Sequence, residues 1–184
     1  MGRKRVIDQQ KILDAAQAVV ARDGAARMTL DAVAEEAGVS KGSVVYDYGS
    51  KQGLLQAMVD RAVEADNAFN AAAAAPFMDS GSAVIRGRIA AAAQPFPEAF
   101  RAVALNISAA LAQDGQLRTA IQANQTAVIA DIARTSAQPR GALLAYLALE
   151  GLKLLETFDY HRWPDTERSR ILAEISWLVD QQPA

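Results

Sequence analysis

The chain contains no cysteine and one histidine, His161. Disulfides, thiol catalysis and cysteine-ligated zinc are thereby excluded, and a metal site around one histidine has a poor donor set. Aromatic residues make up only 6 % of the chain, and no short alternating runs of β-branched and aromatic residues occur. A strand-rich fold therefore lacks its usual material. The longest charge-free stretches, such as 102–113, run 12 residues. A membrane-spanning helix needs about 17–25 apolar residues, so none is expected. The start, MGRKRVIDQQK, is basic without an apolar stretch behind it. No secretion signal is expected, and the cytoplasm is the expected location. Also missing are a G-x-S-x-G elbow, a P-loop, a G-x-G-x-x-G turn and an H-E-x-x-H helix. The expectation is a protein without enzymatic activity, metal or cofactor.

What the chain has in excess is alanine, 40 of 184 residues. Alanine is the best helix former, so an all-α fold is expected. Apolar residues at 51 % and charged residues at 22 % suit a globular chain, one compact domain or two small ones. Pattern and breakers predict nine helices. In the first, over 7–22, Ile12, Ala15, Ala16, Val19 and Val20 form one apolar stripe and Gly24 closes the end. Further helices are expected over 30–37, 40–47 and 50–75, capped by Thr29, Ser40 and Ser50. The remainder are expected over about 79–93, 97–113, 117–136, 140–158 and 165–179, separated by turns with Pro or Gly.

Two short helices joined by a turn at Gly38 make a helix-turn-helix pattern. In the second of them Val44 and Tyr48 share an inward face, while Lys41, Ser43, Val45 and Tyr46 fall on outer faces. A short polar helix with its capped start outward suits phosphate contact and entry into a major groove. Residues 1–51 hold 8 basic and 7 acidic groups, and residues 52–184 hold 11 and 14. The net −2 does not advertise DNA binding, yet a basic arm at Arg3, Lys4 and Arg5 on an acidic body permits it.

The run from Thr29 to Leu55, TLDAVAEEAGVSKGSVVYDYGSKQGLL, resembles the DNA-binding domain of the tetracycline-repressor (TetR/AcrR) family, as do ILDAA at 12–16 and Asp23-Gly24. The resemblance implies a DNA-binding domain over 1–51 and a helical ligand-binding and dimerisation domain over 52–184. It implies a homodimer on a palindromic operator, released from DNA by a small molecule. With no stretch long enough to span a bilayer, no membrane partner is expected. Thr29, Lys41, Ser43, Tyr46 and Lys51 match positions that commonly touch DNA, and Gly42 one where the backbone lies close to it. The chain departs from the family where Val45-Tyr46 replaces an aromatic pair, at Asp47 and at Gly49. Val45 could instead meet a thymine methyl.

In the body, Leu144, Leu147, Gly151, Leu154 and Phe158 form one stripe, and Ile171, Ile175 and Leu178 lie on another. Two such helices from each chain would make a four-helix dimer interface. In so alanine-rich a body, the bulky and isolated polar residues mark candidate effector contacts: Phe69, Phe77, Phe96, Phe100, Asn106, Tyr146, Glu150 and Trp163. Two alternatives stay open: a helical dimeric small-molecule-binding module without DNA binding, and a regulator whose ligand promotes DNA binding.

Overall fold

The computed structural model describes residues 3–94, 105, 107–108, 111 and 114–183, with side chains from residue 9 onward. Among the described residues all regular structure is helical: α1 (Arg3–Asp23), α2 (Leu30–Ala37), α3 (Lys41–Tyr48), α4 (Lys51–Ala74), a single 3₁₀ turn (Ala75–Phe77), α5 (Ala83–Ala92), α6 (Gly115–Thr135), α7 (Pro139–Thr157) and α8 (Asp165–Leu178). The ninth expected helix, 97–113, lies outside the described residues apart from isolated positions. No described helix is long and apolar enough to cross a membrane.

Local chemistry explains most boundaries. Gly24, at φ 83°, donates its N–H to Val20 O at 2.9 Å and ends α1. Thr29 Oγ1 accepts from Ala32 N at 3.1 Å, Ser40 Oγ from Ser43 N at 3.1 Å, and Ser50 Oγ from Gly53 N at 3.1 Å. These are the N-caps of α2, α3 and α4, each satisfying a donor the helix cannot. Helix α1 begins at Arg3, so the backbone of the basic arm is already helical. Helix α5 starts at Ala83 rather than near Asp79. Ser82 sits in the left-handed region (φ 78°), held by its N–H to Thr135 O at 3.0 Å and by Ala137 N–H to its hydroxyl at 3.3 Å.

The chain divides into two compact units, 1–63 with 98–121 and 64–97 with 122–184. The core of the first is Ile12, Ala16, Val19 and Val20 of α1, Val33 and Ala37 of α2, Val44 of α3, Leu54, Leu55 and Met58 of α4, and Leu117 of α6. Each large apolar side chain buried there stabilises by about 1.5–3 kcal/mol. Arg61 of α4 clamps α1 from outside that core, donating to Asp14 Oδ1 and Gln17 Oε1, both at 2.7 Å.

The core of the second unit joins Ile85 and Ile89 of α5, Val128 and Ile132 of α6, Ala142, Ala145, Tyr146, Leu149 and Leu152 of α7, Leu172 and Ile175 of α8, and Val179 at the end of α8. Helices α7 and α8 run antiparallel. At one end a Cβ on Gly141 would stand 2.3 Å from Gln181 O and 2.5 Å from Leu178 O, so only glycine permits this approach. At the other end Arg168 Nε donates to Glu156 Oε1 at 2.8 Å.

Candidate nucleic-acid interface

Helix α3 is eight residues long, and one side of it is spoken for. Val44 is fully buried, and the Tyr48 ring packs on the same core with its hydroxyl donating to Gln9 O of α1 at 3.0 Å. Burial, then the Asp47 carboxylate, pushes the Tyr48 phenol up. The other side carries Lys41, Gly42, Ser43, Val45 and Tyr46, all exposed, with Tyr46 at 72 %. A large aromatic presented this openly beside a valine suits an occupant of a groove rather than a core.

Gly42 adds a second sign. A Cβ there would meet only Ser40 Oγ at 3.6 Å, an ordinary contact, and its φ is not positive. The protein's own packing therefore does not require glycine at this position. It leaves the first turn of α3 bare, so another molecule's backbone could approach the helix start, where N–H groups and the dipole favour phosphate.

The expected DNA-contacting polar residues are held in place by neighbouring groups of the same unit. Lys41 Nζ pairs with Asp31 Oδ2 of α2 at 2.9 Å. Such an exposed pair is worth about 0–1 kcal/mol, so exchanging the carboxylate for a phosphate costs little. The Ser43 hydroxyl lies 3.0 Å from Ser40 Oγ, and the Thr29 hydroxyl caps α2. Lys51 reaches back to Ala26 O at 2.6 Å, fastening the α1–α2 turn. Asp47 accepts from Gln9 Nε2 at 3.4 Å rather than pairing with Lys51. Thr29 and Lys51 thus have a structural use visible in the chain alone.

Among the described residues the expected effector contacts differ in exposure. Phe69 is exposed, Phe77 and Trp163 are half-buried, and Tyr146 is in the second core. Trp163 packs edge-on to His161, with ring centroids 4.2 Å apart. Glu150 is neutralised by Lys153 at 2.9 Å. Phe96, Phe100 and Asn106 lie outside the described residues. Sequence reasoning passed over a polar layer inside the second unit. Arg88, 6 % exposed, Asn67, Asn124 and Gln125 gather around Tyr146 there, on α4, α5, α6 and α7. Its signal was available: Arg88 shares the apolar spacing of Ile85, Ile89 and Ala92.

On α8 the expected dimer residues Ile171, Ile175 and Leu178 meet the chain's own core. Ile175 is 4 % exposed in the core, with Ile171 and Leu178 packed against it, because α7 covers that face. The outward apolar residue of α8 is Trp177. On α7, Leu147, Gly151, Leu154 and Leu155 are exposed and Leu144 is half-buried, as is Phe158 at the helix end. A groove of about 270 Å³ between α6 and α7 is lined by Ile129, Ala133, Pro139, Arg140 and Leu143. Among the described residues no acidic or histidine cluster could hold a metal ion.

Comparison with known proteins adds to this geometry. Residues 12–58 match the model of the bacterial regulatory proteins of the tetR family, and residues 82–180 match that of the tetracyclin repressor-like C-terminal domain. No curated protein matches at a significant level. Solved structures share the fold. A Rhodococcus protein described as a TetR-family transcriptional regulator is 21 % identical, with a TM-score of 0.69 over 94 % of this chain and 99 % of that one. A transcriptional regulator from Streptomyces coelicolor A3(2) is 16 % identical, with a TM-score of 0.75 over 95 % and 99 %. The multidrug binding protein EbrR, complexed with malachite green, is 24 % identical, with a TM-score of 0.70 over 95 % and 98 %.

Proposed function

Since the chain belongs to the TetR family of bacterial regulatory proteins, whose members are regulators and not enzymes, we propose that it is a ligand-responsive transcriptional repressor acting as a homodimer. The dimer binds a palindromic operator and leaves it when a small molecule occupies the second unit. The observation that carries the DNA-binding part is the outer side of α3, with Tyr46 and Val45 projecting from a capped helix whose second position is bare glycine. Val45 suits a thymine methyl, and the Tyr46 ring with its hydroxyl suits a base edge or sugar. Lys41 meets phosphate.

The exposed apolar stripe of α7, Leu147, Gly151, Leu154 and Leu155, supports an isologous interface completed by Trp177 of α8. Two recognition helices would then stand about 34 Å apart, one turn of DNA. Drug binding by EbrR supports a small-molecule site in the second unit. A ligand that prefers another helix separation shifts the population away from the DNA-bound form.

Selection of duplexes from a random library at physiological salt tests this reading. A palindrome with half-sites one turn apart is the expected product. No enrichment by a folded dimer would favour a binding module without DNA contact. With the operator in hand, Lys41→Ala weakens binding to operator and random DNA alike, and lowers the slope of log K against log salt by about 1 per protomer. An unchanged slope would remove Lys41 from the phosphate contacts. Tyr46→Ala costs about 1–3 kcal/mol on operator and little on random DNA. Equal losses on both would mean that Tyr46 does not read sequence.

A further inference from the structure

Arg88 is the one charged residue within the core of the second unit among the described residues, and its charge is poorly met. A guanidinium offers five N–H donors. Here Nη2 donates to Asn67 Oδ1 at a long 3.4 Å, and Nη1 stands 3.7 Å from Asp66 Oδ2. That carboxylate is itself half in water, with its side chain 49 % exposed. Neither contact is the short paired bond an arginine makes with a fully engaged carboxylate, about 2.7–2.9 Å. The Tyr146 ring lies against the cation, its centroid 5.9 Å from Cζ. Around them Asn67 Nδ2 donates to Asn124 Oδ1 at 2.8 Å, and the Tyr146 hydroxyl donates to Gln125 Oε1. Glu150, the other acid near Tyr146, is held by Lys153, so the long contact to half-exposed Asp66 is the one carboxylate contact of the guanidinium among the described residues.

A buried cation with long, partial contacts is costly to the folded chain, and an apolar side chain of similar volume would serve packing better. The polar layer comes from four helices, with Ile85, Ile89, Val128, Ile132 and Leu149 of the same core close by in the fold. A planar anion with two oxygens supplies the side-by-side acceptors a guanidinium lacks here.

We propose that Arg88 is the anchor of the effector site and that the effector is an organic acid, its carboxylate on Arg88 and its apolar body among the surrounding helices. This rests on the reading of the chain as a ligand-responsive regulator and adds the charge of the ligand. It sets the chain apart from a relative that takes malachite green, a cationic dye.

The test uses the full-length dimer and four probes, benzoate, 3-phenylpropionate, 1-naphthoate and octanoate, each beside its methyl ester, with malachite green and ethidium as cationic probes. At tenfold over its Kd, a bound acid raises Tm by about 3–6 °C. At least one acid is expected to do so and to release operator, while its ester does neither. Arg88→Met abolishes the response and leaves operator affinity unchanged, and without ligand its Tm is equal to or above wild type. If no acid outperforms its ester, or only the cationic dyes bind, the inference is overturned and the regulator reading stands. If Arg88→Met lowers Tm by more than about 5 °C and the acids act alike on both forms, Arg88 is structural and the inference also falls. If neither form binds DNA of any sequence, the regulator reading itself fails, whatever the acids do to Tm.

Discussion

Replacing Gly53 by alanine lowers operator affinity at least tenfold and destabilises the first unit by about 1–3 kcal/mol, the cost of forcing an extra methyl into a packed site. A Cβ on Gly53 would stand 2.2 Å from the Tyr48 carbonyl oxygen and 3.3 Å from its carbonyl carbon. Both are backbone atoms, so no rotamer change relieves the clash, and the carbonyl must retreat by about 1 Å. Tyr48 ends α3. Its hydroxyl is tied to Gln9 O on α1, and its carbonyl lies under the first turn of α4. Moving one end while the other is held tilts the helix that carries Tyr46. Gly151→Ala is the matched control. Apart from the backbone of its own helix and its chain neighbours, no described atom lies within 4 Å of where that Cβ would stand. In the isolated chain it gains helix propensity of about 0.5–1 kcal/mol. Denaturant unfolding of the two variants checks the stability contrast, and operator titration of Gly53→Ala beside wild type checks the affinity, since Gly151 lies on the proposed dimer seam. Wild-type affinity and unfolding midpoint in Gly53→Ala would show that α3 is not positioned by this contact.

The close approach of Gly53 to Tyr48 shows where sequence reading stops. The inward face of α3 was legible because Val44 and Tyr48 are four apart in a helix too short to have another buried side. The caps at Thr29, Ser40 and Ser50 were legible because capping chemistry is local. The start of α5 was not, since Ser82 is held in left-handed backbone by groups more than fifty residues away, at Thr135 and Ala137. Arg88 was legible in principle and was missed, because a charged residue on an apolar stripe reads as noise until its burial is seen. Lys51 matched a DNA-contacting position by motif, yet its ammonium is 2.6 Å from Ala26 O, and no local pattern announces that partner. Ile175 illustrates a different limit. Periodicity says that Ile171, Leu172, Ile175, Leu178 and Val179 face one way, but it does not say whether α7 of the same chain or a second copy covers them. Here α7 does.

That distinction separates dissociation from unfolding, and the proposed dimer turns on it. In Leu147→Arg/Leu154→Arg, operator affinity is expected to fall by about 10²–10⁴, because each half-site is then met by an independent monomer and the gain from linked binding is lost. Both leucines are exposed in the single chain, at 55 % and 50 %, so the two substitutions should each change monomer stability by no more than about 0.5 kcal/mol. Sedimentation should report a folded monomer. Ile175→Arg behaves otherwise. It places a guanidinium in a site 4 % exposed between α7 and α8, where burying an unpaired charge unfolds the second unit rather than parting two chains. Gly151→Arg sits with the leucines: the lone chain has open space there, while the seam between two copies of α7 would not. A double variant that remains dimeric with full operator affinity would move the interface off the α7 stripe. The groove at Ile129, Ala133 and Leu143 would then be the next apolar surface to carry the same arginine substitution. A dimer that breaks only with Ile175→Arg, together with lost helical signal, would show that no interface was touched at all.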